Sequence, residues 1–297
     1  MNVLVTGASG FIGSALVPRL IAAGHSVRRL GRRAPAGAGD YRWDPSAGRI
    51  DRAALTTLDA AVHLAGETID GRWTAAKKAR ILRSRVDGTR MLSEALAEVE
   101  PRPRVLVTAS AVGLYGDRGD EALTEESAPG DSFLAEVVKQ WEAASAGAEA
   151  AGIRVVRLRF GIVLSPAGGA LRRMLIPFRL GLGGRLGSGR QWLSWISLND
   201  VLRAIEHSIT DEAFAGAANA VAPNPVTNAE LTRTLARVLR RPAILPVPAP
   251  ILRLALGEIA SELLSSVRAR PARLAEAGFE FEDPELEPAL RRLLDRS

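Results

Sequence analysis

The stretch Asn2-Val3-Leu4-Val5-Thr6-Gly7-Ala8-Ser9-Gly10-Phe11-Ile12-Gly13-Ser14-Ala15-Leu16-Val17-Pro18-Arg19-Leu20-Ile21 decides the fold. Its opening is a short apolar run with β-branched residues, which predicts a strand, and from Phe11 onward the apolar positions recur at helical spacing. Between the two lies Gly7-x-x-Gly10-x-x-Gly13. In a turn of this kind the first glycine permits the bend, the second lets backbone approach a pyrophosphate, and the third lets the helix pack on the strand. The helix N-terminus, with its free N–H groups and dipole, then faces the negative charge. Strand, glycine turn and helix together predict a nucleotide-binding unit in which Gly7, Ser9, Gly10, Phe11, Ile12 and Gly13 cradle the cofactor.

Outward from that unit, further strands are predicted over Ser26 to Leu30, Asp59 to Leu64, Arg104 to Thr108 and Ile153 to Leu158. The second strand is followed by a polar, glycine- and proline-rich loop through Gly48. Helices are predicted over Thr74 to Glu98 and from about Ser132 to Ala151. Strands alternating with helices at this spacing imply an α/β fold, a Rossmann-type doubly wound parallel sheet. From about Ser165 the pattern loosens into helices and short strands, which predicts a second, smaller α/β substrate lobe. The expected division is a dinucleotide-binding domain over 1–164, with 190–222 returning to it, and a smaller lobe from 165–189 and 223–297.

Composition narrows the chemistry. With 47% apolar and 24% charged residues over 297 positions, the chain has the make-up of a folded protein rather than a disordered one. No run reaches the roughly 18 uncharged apolar residues that a span requires, so neither a membrane partner nor a leader is expected, and the expected location is cytoplasmic. Cysteine is absent, which excludes disulfides, thiolate catalysis and cysteine-held metals. Redox chemistry therefore needs a bound cofactor. His25, His63 and His207 stand far apart, and no metal site is expected. The formal charge of +6 rests on thirty-six arginines and three lysines. These are spread among acids and apolar residues rather than gathered with aromatics, so nucleic acid is not an expected partner.

Two local basic clusters stand apart from that background, Arg28-Arg29 with Arg32-Arg33 and Lys77-Lys78-Arg80-Arg83-Arg85. An NAD site places an acid at the end of the second strand to hold the ribose hydroxyls, but here Leu30-Gly31 leads into Arg32 and Arg33, with no acid before Asp40. The pair favours a 2′-phosphate, hence NADP(H). Arg85 shares a 4-3-4-4 stripe with Ile81, Gly88, Leu92 and Leu96, so its guanidinium points inward and needs an anion. A protein carboxylate, the cofactor's phosphates or an acidic substrate all fit that need. Lys77, Lys78 and Arg83 are read as falling off that stripe, on a solvated face. Ser110, read as just past the end of its strand, and Tyr115 are candidates to orient or protonate a carbonyl during hydride transfer. Asp120-Glu121 and Glu125-Glu126 are read as a solvated acidic loop. Trp192 and Trp195 fit either a cleft wall or the core.

Several segments carry a resemblance to a known family: the glycine turn, Val62-His63-Leu64-Ala65-Gly66, Arg85-Val86-Asp87-Gly88-Thr89 and Ala109-Ser110-Ala111-Val112-Gly113-Leu114-Tyr115-Gly116. Together they resemble the extended short-chain dehydrogenase/reductase family of epimerases and dehydratases. Gly66-Glu67, Arg72-Trp73, Phe133 to Glu142, Pro177 to Gly184 and Gly189 to Asp200 look like its atypical epimerase-like subgroup. Pro271 to Leu274, Gly278 to Phe281 and Pro284 to Leu286 look like that subgroup's C-terminal domain of unassigned function. The resemblance implies that Leu64, Ala65, Gly66 and Glu67 line the cofactor. It also implies a catalytic Tyr-x-x-x-Lys in the helix holding Lys139. Counting back from Glu142 gives Val138 and Leu134 at those positions, and a shift of one gives Lys139 and Ala135, so neither register supplies the tyrosine. The family's asparagine before Val-x-Gly-Thr is replaced by Arg85, which turns that residue toward a cofactor or substrate anion. The resemblance and the missing tyrosine together imply an NADP(H)-dependent oxidoreductase or epimerase of altered mechanism on a small carbonyl or sugar-type substrate, as monomer or homodimer. The alternative is a binding protein that senses NADP(H) with little turnover.

Overall fold

The computed structural model describes residues 1–295. Strand β1 (Asn2–Thr6) is buried on both faces, with Val3 and Val5 in one core cluster and Leu4 in the other. That is the period-2 alternation of a central strand. The glycine turn leads into α1 (Gly13–Ala22), and β2 (Ser26–Gly31) returns parallel to β1. The segment up to Gly48 is more ordered than its glycines and prolines predict. It holds β3 (Asp40–Asp44), parallel to β2, and leads directly into β4 (Arg49–Ile50), antiparallel to β3. Trp43 enters the core there and Arg29 pairs with Asp40 at 2.7 Å, long-range contacts that override the local turn signals.

Next come β5 (Ala60–His63), α2 (Ala75–Ala97), β6 (Val105–Ala111) and β7 (Ala122–Leu123). The helix predicted from Ser132 to Ala151 breaks into α3 (Phe133–Ala143) and α4 (Ala146–Ala150). At the break the Ser145 hydroxyl donates to the Glu142 carbonyl at 2.7 Å and accepts from Arg157 Nε at 2.9 Å, a side-chain bond that competes with the helix ladder. The chain continues through β8 (Arg154–Phe160), β9 (Ile162–Ser165), α5 (Gly169–Arg179), β10 (Trp192–Leu193) and β11 (Trp195–Ser197). Helix α6 (Leu198–Thr210) and β12 (Gly216–Ala220) go back to the sheet. The last elements are β13 (Val226–Thr227), α7 (Asn228–Leu239), α8 (Ala249–Leu256), α9 (Ile259–Leu264), β14 (Arg268–Ala269), α10 (Ala272–Glu276) and α11 (Leu286–Asp295).

The main sheet runs β12-β8-β6-β5-β1-β2-β3-β4, parallel except for β4. Leu16 and Leu20 of α1 and Val201 and Ile205 of α6 cover one face, while Leu92 and Leu96 of α2 and Ala148 of α4 cover the other. The chain leaves β1 toward β2 on one side and fills β5, β6 and β8 on the other. Strand order therefore reverses between β1 and β5, and the crevice outside their C-terminal ends is where open α/β sheets take ligands. A separate core joins α5, α7 and α11 around Trp195, which is fully buried and donates from Nε1 to the Asn224 carbonyl at 3.0 Å. Among the described residues no helix is long and apolar enough to cross a membrane.

Candidate active site

The glycines of the turn are required by space. Gly7 has φ +68°, and a Cβ on it would lie 2.7 Å from the Leu64 carbonyl carbon. A Cβ on Gly13 would lie 2.3 Å from the Gly7 oxygen. Ser9 and Gly10 are exposed at the tip of the turn. Phe11 turns toward α5, where a Cβ on Gly168 would come within 2.5 Å of its ring. Beneath the turn, the Thr6 hydroxyl accepts from the Leu64 and Ala65 N–H groups at 3.2 and 3.3 Å and bonds His63 Nδ1 at 2.7 Å. With both N–H groups donating to it, the Thr6 hydroxyl gives its own proton to Nδ1, and the imidazole carries its hydrogen on Nε2. Burial pulls His63 down to about 4, so the ring is neutral at physiological pH. One threonine thus fastens the glycine turn to the loop after β5.

The basic cluster around β2 divides in two. Arg28 donates to the carbonyls of Ala54 and Thr56, and Arg29 pairs with Asp40. Arg32 and Arg33, just beyond β2, are exposed, and among the described residues neither guanidinium has a hydrogen-bonded partner. Asp40, the first acid after the strand, is held by Arg29.

Glu67 follows the loop Leu64-Ala65-Gly66 and accepts from Lys77 Nζ at 2.8 Å, with Arg80 at 3.7 Å. The Lys77 hydrogen bond holds the Glu67 carboxyl below its usual range. Lys77 is therefore buried and paired rather than solvated, because it sits four residues before Ile81 and eight before Arg85, on the same inward stripe. Arg85 points inward as its spacing predicts. Its Nη1 donates to the carbonyls of Glu67 at 2.9 Å and Ile81 at 3.2 Å, and its guanidinium lies 5.1 Å from the Trp141 ring centroid. No carboxylate among the described residues hydrogen-bonds it, and burial pulls the guanidinium down to about 10. The nearest compensating charge is Glu67, already engaged by Lys77.

The hydroxyl candidates occupy different positions from those expected. Ser110 lies inside β6 rather than beyond it, is buried, and donates to Glu142 Oε1 at 2.5 Å. Tyr115 is fully buried in a short 3₁₀ turn, where it donates to Asn219 Oδ1 at 2.7 Å and accepts from Arg159 Nη1 at 3.0 Å. Burial pushes its hydroxyl up. The expectation that Tyr115 donates a proton to substrate fails on this geometry: the strand end carries it into the core, and its proton is committed to Asn219.

Sequence reasoning missed the hub of this network. Arg159 reaches Glu142 through two bonds at 2.8 and 2.9 Å, joining Ser110 on β6, Tyr115 and Glu142 on α3. The acidic-loop reading also needs correction at Glu125, whose Oε1 accepts from the backbone N–H groups of Asn219 and Arg273 while Oε2 is buried without a partner. On α3, Leu134 packs against Gly113, and Val138 is buried.

Residues 3–221 match the profile described as the NAD dependent epimerase/dehydratase family. The chain belongs to that family. Residues 247–293, from the end of the loop before α8 into α11, match a domain of unknown function, DUF1731. An epimerase family protein of Mycobacterium tuberculosis, MT2273, is 46% identical over 281 residues, covering 94% of this chain and 93% of its own. The crystal structure of human epimerase family protein SDR39U1 (isoform 2) with NADPH superposes with a TM-score of 0.91 at 35% identity and covers both chains completely. A nucleoside-diphosphate sugar epimerase from Corynebacterium glutamicum matches all of this chain and 59% of its own, with TM-score 0.83 and 37% identity.

Proposed function

We propose that this epimerase-family chain binds NADPH in the crevice outside β1 and β5 and acts as an oxidoreductase or epimerase of altered mechanism on a small carbonyl or sugar-type substrate. The observation that carries the reading is the exposed pair Arg32 and Arg33 beyond β2, neither hydrogen-bonded among the described residues; Asp40 is held by Arg29, and Glu67, which Arg32 reaches only through space, is engaged by Lys77. The glycine turn fits a pyrophosphate because it has no room for side chains and opens onto the N-terminus of α1. Arg85 adds a buried cation whose compensation is incomplete, close to Gly66. When bound, NADPH supplies a hydride; this chain's residues position it and shield it. The NADPH held by the human relative supports the same choice of cofactor.

Ser110 and Tyr115 do not act as free proton donors in this reading, since each gives its proton within the protein. Water or a substrate hydroxyl is left to serve. Loss of one general acid forfeits about 10²–10⁴ in rate, which leaves measurable turnover. A second reading, an NADPH-binding protein without turnover, is favoured by one observation: α3 presents Leu134, Ala135 and Val138 and no tyrosine. Titrating NADPH against NADH tests the cofactor, with tighter NADPH binding expected and equal affinities overturning it. A single-turnover screen of NADPH-loaded protein against small carbonyl compounds and sugar nucleotides separates the two readings. Net oxidation of bound NADPH by a carbonyl compound, or inversion of a sugar nucleotide by the NADP⁺-loaded protein with no net change in the cofactor, supports the first; tight binding with neither supports the second.

A further inference from the structure

Among the described residues nine large apolar side chains are exposed, and all but Ile21 and Leu263 come from two segments, 176–182 and 244–254. The segments lie side by side. The Leu245 N–H donates to the Gly183 carbonyl at 3.3 Å and the Val247 N–H to the Arg185 carbonyl at 2.9 Å, while Leu186 bridges Val247. Ile176 lies in the last turn of α5 and Leu180 caps its C-terminus, and α8 starts two residues after Val247. The same region has an unusual charge distribution. No Asp or Glu occurs between Glu149 and Asp200, or between Glu230 and Glu258. Arg172, Arg179, Arg185, Arg240, Arg241 and Arg253 are exposed around the apolar tips, and none of the six forms an ion pair among the described residues.

From this charge and shape we infer that the face formed by the C-terminal half of α5, the loop after it, residues 240–247 and α8 docks on the surface of an anionic phospholipid bilayer. A second copy is a poor occupant, because two such faces would bring arginines against arginines. Depth of exposure decides between a lipid surface and an ordered peptide. Leu254 is 81% exposed, Ile244 76% and Leu180 69%, so these side chains stand out as tips, while Ile176 borders a shallow depression with Arg172, Leu175 and Arg179. Protruding aliphatic tips ringed by arginine are covered by a surface that yields around them, with aliphatic carbon entering the acyl boundary and guanidinium meeting phosphate. Surface docking needs no spanning helix, and among the described residues no helix is long and apolar enough to be one; the face thus departs from the expectation of no membrane partner. The inference stands independently of what the crevice binds.

Vesicle flotation with the full chain tests it. The protein is expected to float with vesicles of equal parts phosphatidylglycerol and phosphatidylcholine and not with phosphatidylcholine alone. The double variant Ile244→Asp/Leu254→Asp is expected to weaken partitioning at least about tenfold, and Arg240→Gln/Arg241→Gln by a similar factor, since each arginine near an anionic surface is worth about fivefold. All four positions are exposed, and unchanged thermal unfolding verifies that the variants fold. Failure to float with anionic vesicles overturns the inference, as does flotation that the Asp variants leave intact, which would reflect the net charge alone. A concentration-dependent dimer abolished by the same variants also overturns it, in favour of a second copy. So does binding to poly-glutamate without binding to vesicles, in favour of an acidic protein.

Discussion

The Arg85 guanidinium lies 5.1 Å from the centroid of the Trp141 ring, and its hydrogen bonds go only to backbone carbonyls. A buried cation in that position is held at a cost that an arriving anion relieves. Arg85→Met fills similar space without charge. It is expected to leave unfolding stability unchanged or raise it by about 1 kcal/mol, because replacing a poorly compensated buried charge with an apolar side chain is commonly neutral or stabilising. NADPH affinity is expected to fall about tenfold, the weight of a charge-assisted hydrogen bond. Urea unfolding and fluorescence titration measure the two effects. A large loss of stability with unchanged affinity would make Arg85 a structural residue instead.

Arg32 and Arg33 make the opposite case, since they are exposed and among the described residues have no hydrogen-bonded partner. Arg32→Ala/Arg33→Ala is expected to leave the melting temperature in place and weaken NADPH at least about tenfold, with NADH unaffected. The loss should shrink as salt rises, because exposed charges are screened. Calorimetric titration with both nucleotides at two ionic strengths decides it.

Gly13 permits a test of the turn itself. Its missing Cβ would sit 2.3 Å from the Gly7 oxygen, and that oxygen belongs to backbone rather than to a flexible side chain. Gly13→Ala should therefore force α1 away from β1, at a cost of about 2–4 kcal/mol, with loss of nucleotide binding. Gly13 has no positive φ and is limited by space alone, so Gly24→Ala serves as a contrast, since Gly24 has φ +81° with open space around it. It should cost about 1–2 kcal/mol and spare binding. Thermal unfolding with and without NADPH separates the pair.

How far the fold could be read depended on the range of the interaction that makes each element. β1, its turn and α1 follow from twenty contiguous residues, and the inward direction of Arg85 follows from one helix period. Lys77 obeys the same period, four residues before Ile81, so the expectation that it falls off that stripe onto a solvated face fails on the spacing itself; its partner Glu67 comes from a loop ten residues earlier. β3 was hidden because the contacts that order it, Trp43 in the core and Arg29 on Asp40, are not local. The Glu142 hub joins Ser110, 32 residues before it, and Arg159, 17 residues after it, and no spacing rule reaches such a pair. Tyr115 shows the same limit from the other side, because its neighbours in sequence do not reveal that Asn219 waits beneath it.

The Glu142 and Arg159 pair is buried on both sides, with side-chain exposures of 15% and 9%. Glu142→Ala leaves a guanidinium inside the protein with only Tyr115 and the Glu125 carbonyl to hold it, and is expected to destabilise by about 3–5 kcal/mol. Adding Arg159→Met to that variant removes the orphaned charge and should recover part of the loss, a coupling that a double-mutant cycle in urea measures. Additive losses would show that the two side chains act separately.

His63 links stability to pH at the foot of the crevice outside β1 and β5. Its folded value is pulled from 6.5 down to about 4 by burial, so above pH 6.5 both folded and unfolded forms hold a neutral ring and His63 imposes no pH dependence. As pH falls below 6.5 the unfolded chain takes up the proton first, and stability drops until the folded ring also protonates near pH 4. Below that value no further loss comes from this residue. Over the window the depression corresponds to about 3 kcal/mol, at 1.36 kcal/mol for each unit. His63→Gln retains a polar side chain that Thr6 can bond but cannot titrate. It is expected to flatten the urea-unfolding profile between pH 6.5 and 4. Thr6→Val should instead loosen the Leu64 and Ala65 N–H groups that now share its hydroxyl, lowering nucleotide affinity at neutral pH while leaving the acid-limb slope in place. If His63→Gln keeps the full acid slope, the proton uptake belongs to another group, and the neutral imidazole is not what limits folding in acid.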